Sequence, residues 1–312
     1  MEIIEKVRQG DGRAIARLMS LIENNSTEAT EALKALYPLT GKAFIVGITG
    51  PPGSGKSTLT DQLTREFRQM GKTVGIVAVD PTSPFTGGAI LADRIRMQRH
   101  SLDAGVFIRS MATRGHLGGL AGATNDVVNV LDAAGKEIIF IETVGVGQDE
   151  VEVVKTAHTS IVVTVPGLGD DIQALKAGIF EIADIFVVNK ADREGADRTA
   201  VELQAMLGLA PERSGWRPPI YKTVATQGTG IPELAQGILT HRSYLDEAGL
   251  REERWRERSR TVFLELLGQQ ATRRLLERAR ANGTLERLIE RIMQRDLDPY
   301  SAVEEILTKA GL

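Results

Sequence analysis

At 312 residues, with 42% hydrophobic and 25% charged side chains, the chain has the material for one large packed core or two smaller ones. It contains no cysteine, which excludes disulfides and thiolate metal sites. A net charge of −3 argues neither for nor against nucleic acid, but no basic block stands alone and no apolar run is long enough to span a bilayer. Neither nucleic acid nor membrane is therefore expected as a partner. The opening MEIIEKVRQGDGRA is charged rather than apolar, unlike a secretory signal, so the expected location is cytoplasmic.

Residues 1–40 predict helices, because Ile3, Ile4, Val7 and then Ile15, Leu18, Met19, Ile22 recur at helical spacing around a break at Gly10-Asp11-Gly12. From Ala43 to Leu239 apolar runs alternate with helical stretches. Strands are predicted at Phe44–Ile48, Thr73–Val79, Val106–Arg109, Ile138–Ile141, Ser160–Val165, Ile185–Val188 and Ile220–Val224. This alternation predicts an α/β fold: a mostly parallel central sheet flanked by helices, with ligands at the carboxyl edge of the strands. After His241 the texture changes. Residues 251–280 are rich in Arg and Glu around an apolar stripe (Val262, Phe263, Leu266, Leu267, Leu275, Leu276). Leu285, Leu288, Ile289 and Ile292 make a second helical face, and Asp298-Pro299 opens a third helix. The expected organisation is a helical extension over 1–40, a nucleotide-binding domain over 41–240 and a helical arm over 241–312. The arm's charged surface reads either as a solvated face or as packing for a second subunit.

The first predicted strand runs into Gly50-Pro51-Pro52-Gly53-Ser54-Gly55-Lys56-Ser57-Thr58, which fills every position of the Walker A pattern and precedes a helix. Glycines at 50, 53 and 55 let consecutive N–H groups turn inward around phosphate oxygens, and the helix presents its positive end to the same anion. Lys56 puts a cation on the β/γ-phosphates and the Ser57 hydroxyl is suited to magnesium. These features predict a P-loop NTPase.

Asn189-Lys190-Ala191-Asp192 follows a strand well downstream. A carboxylate there accepts from the N1–H and exocyclic amine of guanine, whereas adenine would leave it unpaired. GTP/GDP is thus the expected nucleotide, with Val224, Ala225 and Thr226 as the loop touching the base through backbone N–H groups. The strand Ile138–Ile141 ends in Glu142-Thr143-Val144-Gly145, where an acid approaches Mg²⁺ and a glycine N–H approaches the γ-phosphate. Asp80 and Asp93 are further candidate Mg²⁺ ligands, with a helix cap or turn as the ordinary use of each. Val146 stands where a water-orienting Gln is common, which predicts slow intrinsic turnover completed by another element. Gln173 and Lys176 share one face of a helix starting near Asp170-Asp171; they are candidates for that element, and ordinary solvated residues otherwise.

Together these segments resemble the MeaB-type GTPases, bacterial relatives of the human protein affected in cblA-type methylmalonic aciduria. The match is carried by residues 50–58 (GPPGSGKST), 79–97 (VDPTSPFTGGAILADRIRM), 109–119 (RSMATRGHLGG), 142–153 (ETVGVGQDEVEV) and 171–184 (DIQALKAGIFEIAD). NKAD and residues 297–307 (LDPYSAVEEIL) complete it, so that it spans nearly the whole chain in order. The resemblance implies a GTPase chaperone of adenosylcobalamin-dependent acyl-CoA mutases, methylmalonyl-CoA mutase foremost, which gates cofactor loading and protects the mutase. Adenosylcobalamin would enter only through that partner. It further implies a homodimer built through the C-terminal arm, and a magnesium shell of Ser57, Asp80, Asp93 and Glu142. An extra switch loop at Asp171–Lys176 would bring Gln173 and Lys176 to GTP when the mutase is bound. Segments 109–119 and 145–152 would be mobile and sense the partner. Asp149 and Val224 depart from the family pattern, each standing where Ser is usual, and His116 falls at a variable position.

Three rival readings remain, of which one, a nucleotide-gated binding module whose turnover merely resets it, overlaps with the chaperone reading. A nickel-inserting or other metallochaperone GTPase would need soft ligands, and the chain has four scattered histidines and no cysteine. An ATP-dependent kinase of transport proteins would not need a guanine-reading NKAD.

Overall fold

Short runs buried at every position give the central strands two buried faces, and the fold follows from covering both. In the computed structural model, residues 2–24, 26–80, 98–100, 102–112, 119–143, 157–167, 183–209 and 215–311 are described. Their seven strands are β1 Phe44–Thr49, β2 Val74–Asp80, β3 Val106–Ala112, β4 Ile138–Thr143, β5 Thr159–Thr164, β6 Ile185–Asn189 and β7 Ile220–Thr223. They form one parallel sheet in the order β3-β2-β4-β1-β5-β6-β7. All seven sit where the sequence predicts them. The largest difference is β3, expected to end at Arg109, whose ladder with β2 continues from Ala78↔Ser110 to Asp80↔Ala112.

Among the described residues, the α-helices of unit 1–258 before Leu250 are α1 Glu2–Arg8, α2 Gly12–Glu23, α3 Thr27–Leu36, α4 Lys56–Gln69, α5 Gly119–Ala133, α6 Ala196–Leu209 and α7 Ile231–Glu247. Phe44, Val46 and Ile48 of β1 and Ile138 and Phe140 of β4 face Leu59, Leu63 and Phe67 of α4 and Leu234 and Ile238 of α7. The intervening Ile45, Ile139 and Ile141 face the other way, onto α1, α2, α3 and α5. Helices α1, α2, α3 and α5 therefore cover this face at Ile45, Ile139 and Ile141, and α6 packs through Leu203 against Val162, Phe186 and Val188. Each of these large side chains contributes about 1.5–3 kcal/mol by leaving water. Asp132 at the end of α5 fixes the entry to β1, accepting from the backbone N–H groups of Gly41, Lys42 and Ala43 at 2.6, 3.2 and 3.0 Å.

A long helix, α8 Leu250–Ala281, starts beneath the amino ends of β5 and β6. Its Arg254 donates to both carboxylate oxygens of Asp184 (2.9 and 3.1 Å) and to the His158 carbonyl (2.6 Å), and Arg258 forks onto Asn125 Oδ1 of α5 at 2.8 and 3.1 Å. Asp184 Oδ2 also accepts from Ser160 N at 2.8 Å. His158 and His241 lie buried in this layer, where desolvation pushes their pKa values down to about 3 and about 4. His158 Nδ1 accepts from Ile45 N at 3.0 Å, which requires the neutral ring.

The second compact unit, 259–312, holds the remainder of α8 with α9 Thr284–Met293 and α10 Pro299–Ala310. Asp298 caps α10, accepting from Tyr300 N and Ser301 N at 2.9 and 3.0 Å, as the Asp-Pro pair predicts. Ala279, Thr284, Leu288 and Ala302 are its buried positions among the described residues, and Arg287, Arg291 and Lys309 converge on Glu305. Among the described residues no helix is long and apolar enough to cross a membrane.

Candidate active site

The strand order reverses direction about β1, whose neighbours β4 and β5 lead to opposite halves of the sheet, so β1 ends at the crevice where such sheets bind ligands. From there the chain enters 50–55 and then α4. Gly50, Gly53 and Gly55 have φ of 142°, 75° and 89°. At Gly50 a Cβ would come within 2.0 Å of the Val163 carbonyl oxygen of β5, and at Gly55 within 2.4 Å of Asn189 Nδ2. Both positions need glycine for space as well as for φ. No side chain caps the start of α4 and its first turn has no acid, which suits an anion at that end.

Lys56 is buried beneath the loop, its Nζ donating to the carbonyls of Gly50 (2.7 Å) and Pro51 (3.1 Å). Ser57 Oγ donates to Glu142 Oε1 at 2.5 Å, joining the first turn of α4 to the end of β4. Beside it Thr143 Oγ1 donates to Thr49 Oγ1 at 3.1 Å. Glu142 is only 4% exposed. A carboxylate so far from water calls for compensating positive charge or hydrogen bonds. Two hard oxygens, a hydroxyl and a carboxylate, in contact with each other make a donor set of the kind Mg²⁺ takes. Among the described residues no three or more His, Asp or Glu side chains gather as a complete metal site. Asp93 lies outside the described residues and Asp80 is described only in its backbone, at the end of β2.

On the other side of the loop stands the end of β6. Asn189 Nδ2 donates to the Ser54 carbonyl (2.8 Å), while its Oδ1 accepts from Ala225 N (3.1 Å) and Thr223 Oγ1 (3.1 Å). Lys190, in a left-handed conformation at φ 55°, donates Nζ to the Gly53 carbonyl at 2.7 Å. The glycine turn, NKAD and the Val224-Ala225-Thr226 loop are thereby fastened together, with Asp192 exposed at their rim. Thr223 and Val163 are parts of this assembly that sequence reading did not single out. Thr223, the last residue of β7 directly before Val224, carried a positional signal; Val163, an apolar residue used through its carbonyl, carried none. Gly145, Gln173, Lys176, Val146, Asp149 and His116 lie outside the described residues.

The family model for the methylmalonyl-CoA mutase-associated GTPase MeaB matches residues 15–284 of this chain. The chain belongs to the MeaB family of GTPases. A Pyrococcus abyssi relative named "Putative GTPase" is 56% identical over 98% of this chain and 95% of its own length. The GTPase ArgK of Escherichia coli is 32% identical over 92% of this chain and 88% of its own. The mouse methylmalonic aciduria type A homolog, a mitochondrial protein, is 34% identical over 72% of this chain and 59% of its own. A crystal structure described as LAO/AO transport system kinase matches with a TM-score of 0.71 at 25% identity, covering 100% of this chain and 97% of that one. The P-loop α/β fold and the MeaB assignment expected from the sequence both hold.

Proposed function

We propose that this MeaB-family GTPase is a magnesium-dependent, cytoplasmic chaperone that converts GTP to GDP and phosphate. Its nucleotide state would gate adenosylcobalamin loading into, and protect, an acyl-CoA mutase, with methylmalonyl-CoA mutase the first candidate. The observation that carries the nucleotide reading is the fastening of Asn189 and Lys190 to the phosphate loop, because it holds a base-reading strand end at fixed distance from a triphosphate cradle. The family's association with methylmalonyl-CoA mutase supports the partner.

In this reading residues 50–58 and Gly145 surround the phosphates with N–H groups. Lys56 turns from the Gly50 and Pro51 carbonyls to neutralise the β/γ-phosphates. Asp192 accepts from guanine N1–H and its amine, and residues 224–226 border the base. Ser57 and Glu142, with Asp80 and Asp93, would hold magnesium, which when bound would neutralise charge on the β- and γ-phosphates. Gln173 and Lys176 would complete the site once the mutase docks, Lys176 adding transition-state charge. In other GTPases a supplied cation is worth ~10³–10⁵ in rate. Adenosylcobalamin would be held by the mutase.

The arm over 241–312 would join two copies, and its exposed Phe263, Leu264, Leu267, Met293 and Tyr300 support that reading. Transport-protein phosphorylation, suggested by the description of the similar crystal structure, is disfavoured by a base site built from Asn189 and Asp192.

The experiment is mutase affinity measured with GDP and with a non-hydrolysable GTP analogue. A difference of tenfold or more, about 1.4 kcal/mol, is expected. Equal affinities would reject nucleotide gating.

A further inference from the structure

Resting on the magnesium reading above, we infer that Thr143 and Thr49 are positioning residues for the metal, their hydroxyl pair holding Glu142 at a fixed place beside the phosphate loop. Thr49 is the last residue of β1, directly before Gly50, and Thr143 is the last of β4, directly after Glu142. The two hydroxyls meet at 3.1 Å, and the residues are only 1% and 2% exposed.

The strands explain the placement. Pairing of β1 with β4 runs from Phe44↔Ile138 to Ile48↔Glu142. One residue further, where β1 leads into the phosphate loop, the hydroxyl bond carries the pairing on through side chains. Thr143 is held from its other side by β2, in register with Val79, and Thr49 by β5, in register with Val162. A single bond thus closes a tie across β2, β4, β1 and β5 at the rim of the crevice.

Successive side chains of a strand point to opposite faces, so Thr143 and Glu142 leave β4 on opposite sides. Glu142, like Ile138 and Phe140, faces α4, where it meets Ser57 Oγ. Thr143 follows Ile139 and Ile141 onto the other face, and Thr49 follows Ile45. A slip or roll of the β4 end that carried Glu142 away from Ser57 would therefore break the hydroxyl bond on the far side. Packing does not call for threonine here, since the neighbours along this face are isoleucines and valine has the same branched shape. What the hydroxyl pair adds is direction, because a hydrogen bond is made only over a narrow range of distance and angle. Removing groups that hold metal ligands in place costs about 10–100-fold in metal affinity.

Magnesium affinity, rather than turnover, is the readout. Binding of a non-hydrolysable GTP analogue to the full chain is followed by calorimetry in EDTA and over a magnesium series. The proteins compared are the unsubstituted chain, Thr143→Val, Thr143→Ser, Thr49→Val and the double valine variant. In Thr143→Val the magnesium concentration giving half the gain in affinity is expected to rise about tenfold or more, while affinity in EDTA stays within twofold. Thr143→Ser keeps the hydroxyl and should bring that midpoint back to within threefold. Thr49→Val should move it in the same direction, and the double variant no further than the larger single effect, because the bond is lost only once. Should one valine variant fail to fold, the other carries the same expectation. An unmoved midpoint, an equal loss in EDTA, additive effects in the double variant or no recovery with serine would overturn the positioning role. An unsubstituted chain whose analogue binding ignores magnesium would instead reject the magnesium reading itself.

Discussion

Asn189 at the end of β6 donates its amide to the Ser54 carbonyl at 2.8 Å, across 135 residues of sequence. One side chain thus sets the distance between the strand end read as guanine-selecting and the loop read as phosphate-binding. Its carbonyl oxygen is occupied as well, by Ala225 N and Thr223 Oγ1.

Asn189→Ala is therefore expected to loosen three segments at once. Ala225 N and the Ser54 carbonyl lose their partner in a buried place, at about 1–3 kcal/mol for each group left unmade. Calorimetric GDP titration of the variant should show at least tenfold weaker binding together with a lower Tm. Unaltered affinity would mean the latch is incidental.

Substitutions at the glycines separate space from conformation. Gly50→Ala puts a Cβ 2.0 Å from the Val163 oxygen and should displace the loop from β5, at ~3 kcal/mol or more. Gly53→Ala meets nothing within 4 Å and pays only for its positive φ, about 1 kcal/mol. Guanine-nucleotide affinity should fall much further in the first than in the second.

Asp192→Asn replaces an acceptor with a side chain that offers N–H groups. Losing two hydrogen bonds to a charged group should weaken GDP ~10²-fold or more. Xanthine carries a carbonyl where guanine has its amine, so xanthosine diphosphate should gain. Competition binding with the two nucleotides reads the exchange directly.

Acid should loosen the layer beneath the sheet. His158 and His241 have folded-state pKa values near 3 and 4, below the ordinary histidine value of 6.5. The unfolded chain then binds more protons than the folded one between these limits. Stability held above pH 6.5 is lost as pH falls toward 4, by ~2–3 kcal/mol for each ring at pH 4.5. Asp126, whose buried carboxyl is raised to about 6, acts in the opposite sense. His158→Asn keeps an acceptor for Ile45 N without a titrating ring, so denaturant unfolding of that variant should show a shallower fall between pH 7 and 4.5.

Much of this was legible in the residues. The glycine turn, Lys56, Ser57, Glu142 and Asn189 announce themselves because phosphate and guanine chemistry demand particular residue types at fixed spacing. The strands were legible because both faces of a parallel sheet are buried, which gives short continuous apolar runs. What escaped was what depends on three-dimensional convergence. Arg254 looks like any arginine of a charged helix, yet it reaches back 70 residues to Asp184. Likewise the amphipathic α1–α3 read as an appendage, although they close one face of the sheet.

The most direct measurement is single-turnover hydrolysis of GTP and of ATP by the purified chain, with and without an adenosylcobalamin-dependent methylmalonyl-CoA mutase. Acceleration of GTP hydrolysis by ~10³ or more on adding the mutase is expected, the lower end of the range that a supplied cation gives other GTPases, with ATP unaffected. A GTP rate indifferent to the mutase, or ATP turned over equally well, would contradict the account.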